Sequence, residues 1–166
     1  MNIIAAVDRN NGIGKDGNLL LRIPEDMKNF KRLTRGKAVV MGHGTLKSLP
    51  GGKPLRDRDN IVLSRDASLC LEGATVCNSI ASLFEWLKRY DTNDVYVIGG
   101  QSVFEALLPY CSQAYITKLD TALAADRFFP DMEKAGWELA EVYGQSEFEG
   151  CRFSFTRYEN TNIESL

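Results

Sequence analysis

Asp26 is the acid of this chain whose position demands a chemical reason. Residues 23–35 read Ile-Pro-Glu-Asp-Met-Lys-Asn-Phe-Lys-Arg-Leu-Thr-Arg. Pro24 suits a first helical position, and Glu25 and Asp26 suit a helix N-terminus. At about 100° per residue, Ile23, Met27, Phe30 and Leu33 gather on one arc, and Lys28, Lys31, Arg32 and Arg35 on the other. Glu25 falls with the charges. Asp26 falls inside the apolar arc, four residues before Phe30 and seven before Leu33. A carboxylate aimed at apolar side chains costs roughly 2–7 kcal/mol unless a donor meets it there. That donor belongs either to the protein or to a ligand. A cationic or amidine-like ring would make two charge-assisted hydrogen bonds to it. Arg58, in the segment Pro-Gly-Gly-Lys-Pro-Leu-Arg-Asp-Arg-Asp, is either a surface charge or the anchor for an anionic tail of the same ligand.

A second group of residues sits where short apolar runs end. Val95-Tyr96-Val97-Ile98 leads into Gly99-Gly100-Gln101-Ser102 and then an apolar helix pattern. Val39-Val40-Met41 leads into Gly42-His43-Gly44-Thr45, and Ile61-Val62-Leu63 into Ser64-Arg65-Asp66. Glycines between strand and helix let backbone amides approach a phosphate. The pattern is neither G-x-G-x-x-G nor a P-loop. Ligands of parallel sheets bind at the carboxyl ends of strands, so three such ends point to a long phosphate-bearing ligand lying across the sheet.

Other chemistries have little to work with. His43 is the sole histidine, which speaks against a Ser-His-Asp triad. Cys70, Cys77, Cys111 and Cys151 form no C-x-x-C pair, and with one histidine they supply no zinc ligand set. They read as reduced, mostly buried thiols of a cytoplasmic protein. A net charge of -2 gives no reason to expect nucleic acid or membrane as a partner. Acid–base work therefore falls to carboxylates, tyrosines or lysines, or to a cofactor.

The elements that must position these residues follow from periodicity. Strands are expected at 2–8, 37–41, 60–64, 74–77, 94–98, 113–119, 137–144 and 150–158, and helices at 24–34, 44–49, 79–90 and 101–108. The N-terminal residues read as a first strand, lacking the basic start of a signal sequence. Strands alternate with helices through residue 108, and the last third has strands alone. This predicts one α/β domain over residues 1–166, with an about eight-stranded, mostly parallel central sheet, four flanking helices and a C-terminal antiparallel hairpin turning near Gly144–Gly150. Residues 9–22, with Asn11-Gly12, Gly14 and Asp16-Gly17, read as an irregular loop, as do residues 50–59 and 120–136.

The ordered set of pieces resembles dihydrofolate reductase. Its carriers are Ile3-Ile4-Ala5-Ala6, Ile13-Gly14, Ile23 through Lys31, Val40-Met41-Gly42 with Thr45, Asn60 through Arg65, Val97 through Phe104, and Phe129-Pro130-Asp131. Each motif is weak alone, but they cover nearly the whole chain at the family's spacings. The resemblance implies NADPH-dependent reduction of 7,8-dihydrofolate, with hydride transfer to pterin C6 and protonation at N5. It implies Asp26 as the acid that binds the pterin's amino-pyrimidine edge, and Thr117 as its hydrogen-bonding partner. Ile4, Ala6 and Ile98 would border the pterin, Phe30 would wall it, and Met27, Lys31, Leu49 and Leu55 would line the rest of the substrate. Arg58 would bind the glutamate α-carboxylate. The cofactor would lie on Ala6, Ile13, Gly14, Asn18, Leu19, Gly42, His43, Gly44, Thr45, Leu63, Ser64, Arg65, Ile98, Gly99, Gly100, Gln101, Ser102, Val103 and Phe104. The family joins the two glycines by a non-proline cis peptide, carries a lid at residues 12–21, binds antifolate inhibitors and is mostly monomeric. No metal is implied.

The chain departs from that pattern in two places. Leu21 stands where most bacterial members have a tryptophan, and Leu20 where proline is common. Leu21 cannot hydrogen-bond, so a drier or rearranged acid site is expected. Leu21→Trp should then change the rate–pH profile, and an unchanged profile would sink the idea. His43, Gly44 and Ser102 stand where arginines are frequent, leaving Arg65 with Ser64 as the main anchor for a 2′-phosphate. Rival readings are a related pterin or pyrimidine reductase, a non-catalytic nucleotide-binding module and an interaction protein. Asp26, Phe30 and Arg58 together argue against the first, and an acid in an apolar arc against the second.

Overall fold

Adjacent residues of the short apolar runs face opposite layers, and this alternation builds the molecule. In the computed structural model, which describes residues 1–166, the strands are β1 (Asn2–Val7), β2 (Gly12–Lys15), β3 (Asn18–Leu19), β4 (Ala38–Gly42), β5 (Asp59–Leu63), β6 (Ala74–Cys77), β7 (Val95–Gly99), β8 (Gln113–Leu119), β9 (Arg127–Phe128), β10 (Trp137–Phe148) and β11 (Cys151–Asn160). The helices are α1 (Pro24–Thr34), α2 (His43–Ser48), α3 (Ile80–Leu87) and α4 (Gln101–Leu107). Eight strands form one sheet in the order β10-β11-β8-β1-β7-β4-β5-β6. The six from β8 to β6 run parallel, and β11 and β10 add antiparallel at one edge. Ile3, Val40, Ile61 and Val97 pack on one face with Leu83 and Leu87 of α3 and Val103, Phe104 and Leu107 of α4. Ile4, Val39, Val62 and Tyr96, the neighbours of those four, pack on the other face with Leu46 of α2 and Phe30 and Leu33 of α1. The α/β class, the mixed sheet, the flanking helices and the C-terminal hairpin are as expected.

Helix ends follow local chemistry. α1 has no side-chain cap; Pro24 opens it and Ile23 O accepts from Met27 N at 3.0 Å. α3 starts on a capping box, in which Ser79 Oγ accepts from Ser82 N at 3.0 Å and Ser82 Oγ accepts from Ser79 N at 3.1 Å. It ends at Leu87 rather than at residue 90, because Tyr90 N turns back to Leu87 O. α4 gives way to a 3-10 turn at Leu108–Tyr110, where Pro109 cannot donate. The apolar arc of α1 is not uniformly buried. Ile23 is buried and Phe30 and Leu33 are half-buried, but Met27 is 39% exposed, and the one fully buried residue of the helix is Thr34.

Two expectations for loops and turns are corrected. Residues 9–22 are not wholly irregular. Asp16 and Gly17, both left-handed at φ 50° and 78°, turn β2 back onto β3. β9, from the segment expected to be loop, adds on the other edge of β2, giving a small second sheet β3-β2-β9. Strands of two to four residues are too short to show alternation. Asp8 roots this sheet: its buried carboxylate accepts from Asn10 N, Gly12 N and Leu123 N at 2.9, 2.7 and 2.8 Å. The C-terminal hairpin also turns later than expected, at Glu149–Gly150 (φ 48° and 79°), not across Gly144–Gly150.

Gly144 lies within β10, opposite Phe155 and beside an irregularity in the register. A Cβ there would stand 2.9 Å from Phe155 Cδ2, so the glycine makes room for the ring. Phe155 in turn stands opposite Thr117 on β8. Gly144→Ala is expected to cost about 1–3 kcal/mol by overpacking. The thermal midpoint should fall by roughly 2–10 °C, measured by calorimetry, and an unchanged midpoint would contradict this role of the glycine.

Candidate active site

Helix α1 crosses the sheet so that Asp26 meets β8. Thr117 Oγ1 donates to Asp26 Oδ1 at 2.5 Å, while no protein donor reaches Oδ2. Asp26 is half-buried and Thr117 buried. Burial raises the carboxyl's pKa above its ordinary value, and the Thr117 hydroxyl pulls partly the other way. Thus the apolar-arc acid has both kinds of partner open to it: one oxygen is met by protein and the other is free. Asn29, one turn further along α1, donates from Nδ2 to Tyr143 Oη at 2.9 Å, and Tyr143 stacks on Phe155 with centroids 5.7 Å apart. Leu21 and Phe155 both pack against the buried apolar group of Ile23, Leu119, Cys151 and Phe153, and Phe155 stands opposite Thr117. Neither Asn29 nor Tyr143 was marked by spacing; their contact spans 114 residues.

Most of the substrate-side residues expected from sequence gather in the apolar cluster against which α1 packs. Phe30, Leu49, Leu55 and Ile98 are half-buried and pack with Ile4 on one apolar cluster. Met27 and Lys31 lie exposed on α1. Arg58 sits with its guanidinium carbon 5.9 Å from the Phe30 ring centroid. Its Nε donates to Thr34 Oγ1 at 3.2 Å and Nη1 donates to Arg56 O at 2.7 Å. Thr34 in turn donates to Phe30 O at 2.8 Å, so helix, hydroxyl and guanidinium are linked. Nη2 makes no hydrogen bond within the protein, which leaves its two N–H groups for a carboxylate. Partial burial lowers the Arg58 pKa, opposed by Asp57 and assisted by Arg35. Buried Asn60 holds the loop in place: Nδ2 donates to Leu55 O and Arg58 O at 2.9 and 3.1 Å, and Oδ1 accepts from Leu55 N at 2.9 Å. Thr34 was missed by the sequence reading; a threonine four residues after Phe30 is the signal that could have found it.

A cleft of about 1130 Å³ runs across the carboxyl ends of the parallel strands; Ala6, the register partner of Thr117, and Ile98 line it, whereas Asp26, Phe30, Leu49, Leu55 and Arg58 do not. Ala6, Ile13, Gly14, Asn18 and Leu19 line it on the lid side, and Ile98 through Phe104 form its floor. Gly42, His43, Gly44, Thr45, Leu63, Ser64 and Arg65 extend it towards the far edge. These are all the residues assigned to the dinucleotide by resemblance, and the fold brings every one to a single cleft. Asn78 and Ser79 at the end of β6 add a fourth strand end where three were expected. Strand 74–77 was already legible, so its end could have been counted. Lys15, Asp16, Gly17, Asp126 and Arg127 also line the cleft; the first three lie within the expected lid at residues 12–21 without having been assigned to the cofactor, and Asp126 and Arg127 lie in a segment expected to be loop. The Gly99–Gly100 peptide is cis. A Cβ on Gly100 would approach Thr45 Oγ1 to 3.3 Å, and one on Gly99 the Phe104 ring to 3.3 Å, so the floor is close-packed where the glycines stand. At Gly44 a Cβ would meet nothing within 4 Å and would stand in open space at the cleft. Burial pushes the Cys111 thiol up to about 12 and the Cys77 thiol up as well, consistent with inert core thiols.

The dihydrofolate reductase family profile matches residues 1–160. Dihydrofolate reductase of Bacillus subtilis is 32% identical over 164 residues, 98% of this chain and 95% of that protein. Dihydrofolate reductase type 3 of Salmonella typhimurium is 37% identical over 85% of each chain. The solved structure of Enterococcus faecalis dihydrofolate reductase, in complex with NADP(H) and RAB-propyl, superposes with a TM-score of 0.86 at 29% identity. It covers 96% of this chain and 95% of its own. The likeness therefore extends from the first strand through the C-terminal hairpin, acid helix and glycine floor included, and this chain belongs to the dihydrofolate reductase family of oxidoreductases.

Proposed function

We propose that the protein reduces 7,8-dihydrofolate to 5,6,7,8-tetrahydrofolate with NADPH, supplying one-carbon metabolism. The observation that carries this reading is the Asp26–Thr117 pair, one carboxylate oxygen free, beside a cleft that spans four strand ends. A volume of about 1130 Å³ lies at the upper end of the roughly 300–1,000 Å³ usual for small-molecule and cofactor sites and leaves room for a dinucleotide. The relative from Enterococcus faecalis holds NADP(H), and the glycines, hydroxyls and Arg65 along this cleft fit its phosphates. NADPH, when bound, supplies the hydride for pterin C6.

The chain's own residues do the rest. Asp26 takes the amino-pyrimidine edge of the pterin through Oδ2 and favours protonation at N5, helped by a carboxyl whose proton is held more tightly than usual. Thr117 orients it. Phe30 and Ile98 fix the flat ring, Leu49 and Leu55 meet the benzoyl group, and Arg58 takes the α-carboxylate. The lid strands β2 and β3 exclude water from the reacting carbon. Antifolates with the same amidine edge would bind the same acid.

The test is loss of NADPH absorbance that depends on added dihydrofolate; no turnover by the wild-type protein would sink the proposal. Cofactor preference has its own check. Arg65→Ala should weaken NADPH by about tenfold and leave NADH nearly unchanged, because only the former carries a 2′-phosphate for the guanidinium. Equal catalytic efficiency of the wild type with both cofactors would refute the preference.

A further inference from the structure

The glycine floor of the cleft, Gly99 through Ser102, brings backbone close to a ligand but carries no charge. Arg65 lies at the end of β5, with β4 between it and β7. A cation reaches the floor by another route, from the lid sheet. On one edge of β9, Arg127 pairs with Gly14 of β2. On the other, Phe128 N donates to Gln101 Oε1 at 2.9 Å. Gln101 Nε2 donates to Glu105 Oε1 at 2.9 Å, which determines which end of the amide faces β9. A side chain of the floor thus seats the strand whose adjoining residue is an arginine lining the cleft.

That arginine is free to act. Arg127 is in none of the molecule's ion pairs, and its guanidinium donates only from Nη1 to Asp126 O at 3.0 Å. Three acids line the same cleft: Asp126 Oδ2 accepts from Asp16 N at 3.0 Å, Glu105 accepts from Gln101, and the Asp16 carboxylate has no protein partner, yet none of them is ion-paired to Arg127. We infer that Arg127 binds the diphosphate of the dinucleotide and that Gln101 is the positioning residue that seats it. The lid sheet then closes on a group common to NADPH and NADH. This rests on the dinucleotide reading above.

Calorimetric titration with NADPH and with NADH separates the possibilities. Arg127→Ala should weaken both by the same factor, about tenfold, and Arg127→Lys should recover part of the loss. Gln101→Leu should weaken both by a similar factor, and the double variant should bind no worse than Arg127→Ala alone. Unchanged affinity for both cofactors in Arg127→Ala, or a loss confined to NADPH, would overturn the role of Arg127. Additive losses in the double variant would overturn that of Gln101. A wild-type protein that binds neither cofactor would remove the dinucleotide reading and this inference with it. A protein that binds both, with Arg127→Ala indistinguishable from wild type, would remove the inference alone.

Discussion

Asp26→Asn is expected to lower turnover of dihydrofolate at pH 7 by at least about a hundredfold, the usual scale for losing a positioned acid–base group. The amide would still accept from Thr117 but would offer the pterin edge neither a negative charge nor a proton. The same change should make the protein more stable. A carboxyl whose folded pKa is raised holds its proton longer in the folded protein than in the unfolded chain. Its contribution is neutral below the ordinary carboxylate range and becomes unfavourable as pH rises from that range through the folded pKa. The penalty persists at neutral pH, so removing the charge should raise the thermal midpoint at pH 7 by a few degrees and leave it unchanged at pH 3. The rate–pH profile gives a third readout. Wild-type kcat/KM should fall on the alkaline side with an apparent pKa above the ordinary carboxylate value, and that limb should vanish in the amide variant. Undiminished turnover by Asp26→Asn would remove the acid from the mechanism. Lower stability at pH 7 would show that the carboxylate is met by more than Thr117.

Arg58→Ala is expected to raise the KM for dihydrofolate about a hundredfold while changing kcat by less than about threefold. The guanidinium would meet the far end of the substrate, so its loss removes binding shared by ground and transition states. A charge-assisted, half-buried contact is worth several kcal/mol when one partner is truncated. Arg58→Lys should recover little, because a single ammonium cannot keep the Thr34 and Arg56 contacts and still present a two-pronged edge. Steady-state kinetics at varied dihydrofolate settles the matter: a fall in kcat with KM unchanged would place Arg58 in the chemistry instead of in substrate anchoring.

Both predictions combine a residue conspicuous in the sequence with a partner that no local pattern marks. Asp26 was conspicuous because helical periodicity is local: positions four and seven apart share a face wherever the helix lies. The glycine-ended strands were legible for the same reason, since a strand-to-helix turn is written in adjacent residues. Thr117 was reached only through family resemblance, and Thr34, Tyr143 and the role of Asn29 were not reached at all. Their contacts to Arg58 and to one another cross 24 and 114 residues. The late hairpin turn was missed because Gly144, a turn signal by type, is required by the Phe155 ring on the next strand.

Sequence alone therefore determined the layered α/β class, the strand ends that can hold phosphates, and the one acid set against an apolar arc, because all three depend on short-range stereochemistry and on which side chains avoid water. Tertiary structure decided what those pieces become together. Register between β8 and β11 put Phe155 beside Thr117, the packing of α1 brought Asp26 to that threonine, and a two-residue strand from an apparent loop carried Arg127 to the cleft. Such pairings are fixed by the collective packing of distant segments, and no window of neighbouring residues contains them.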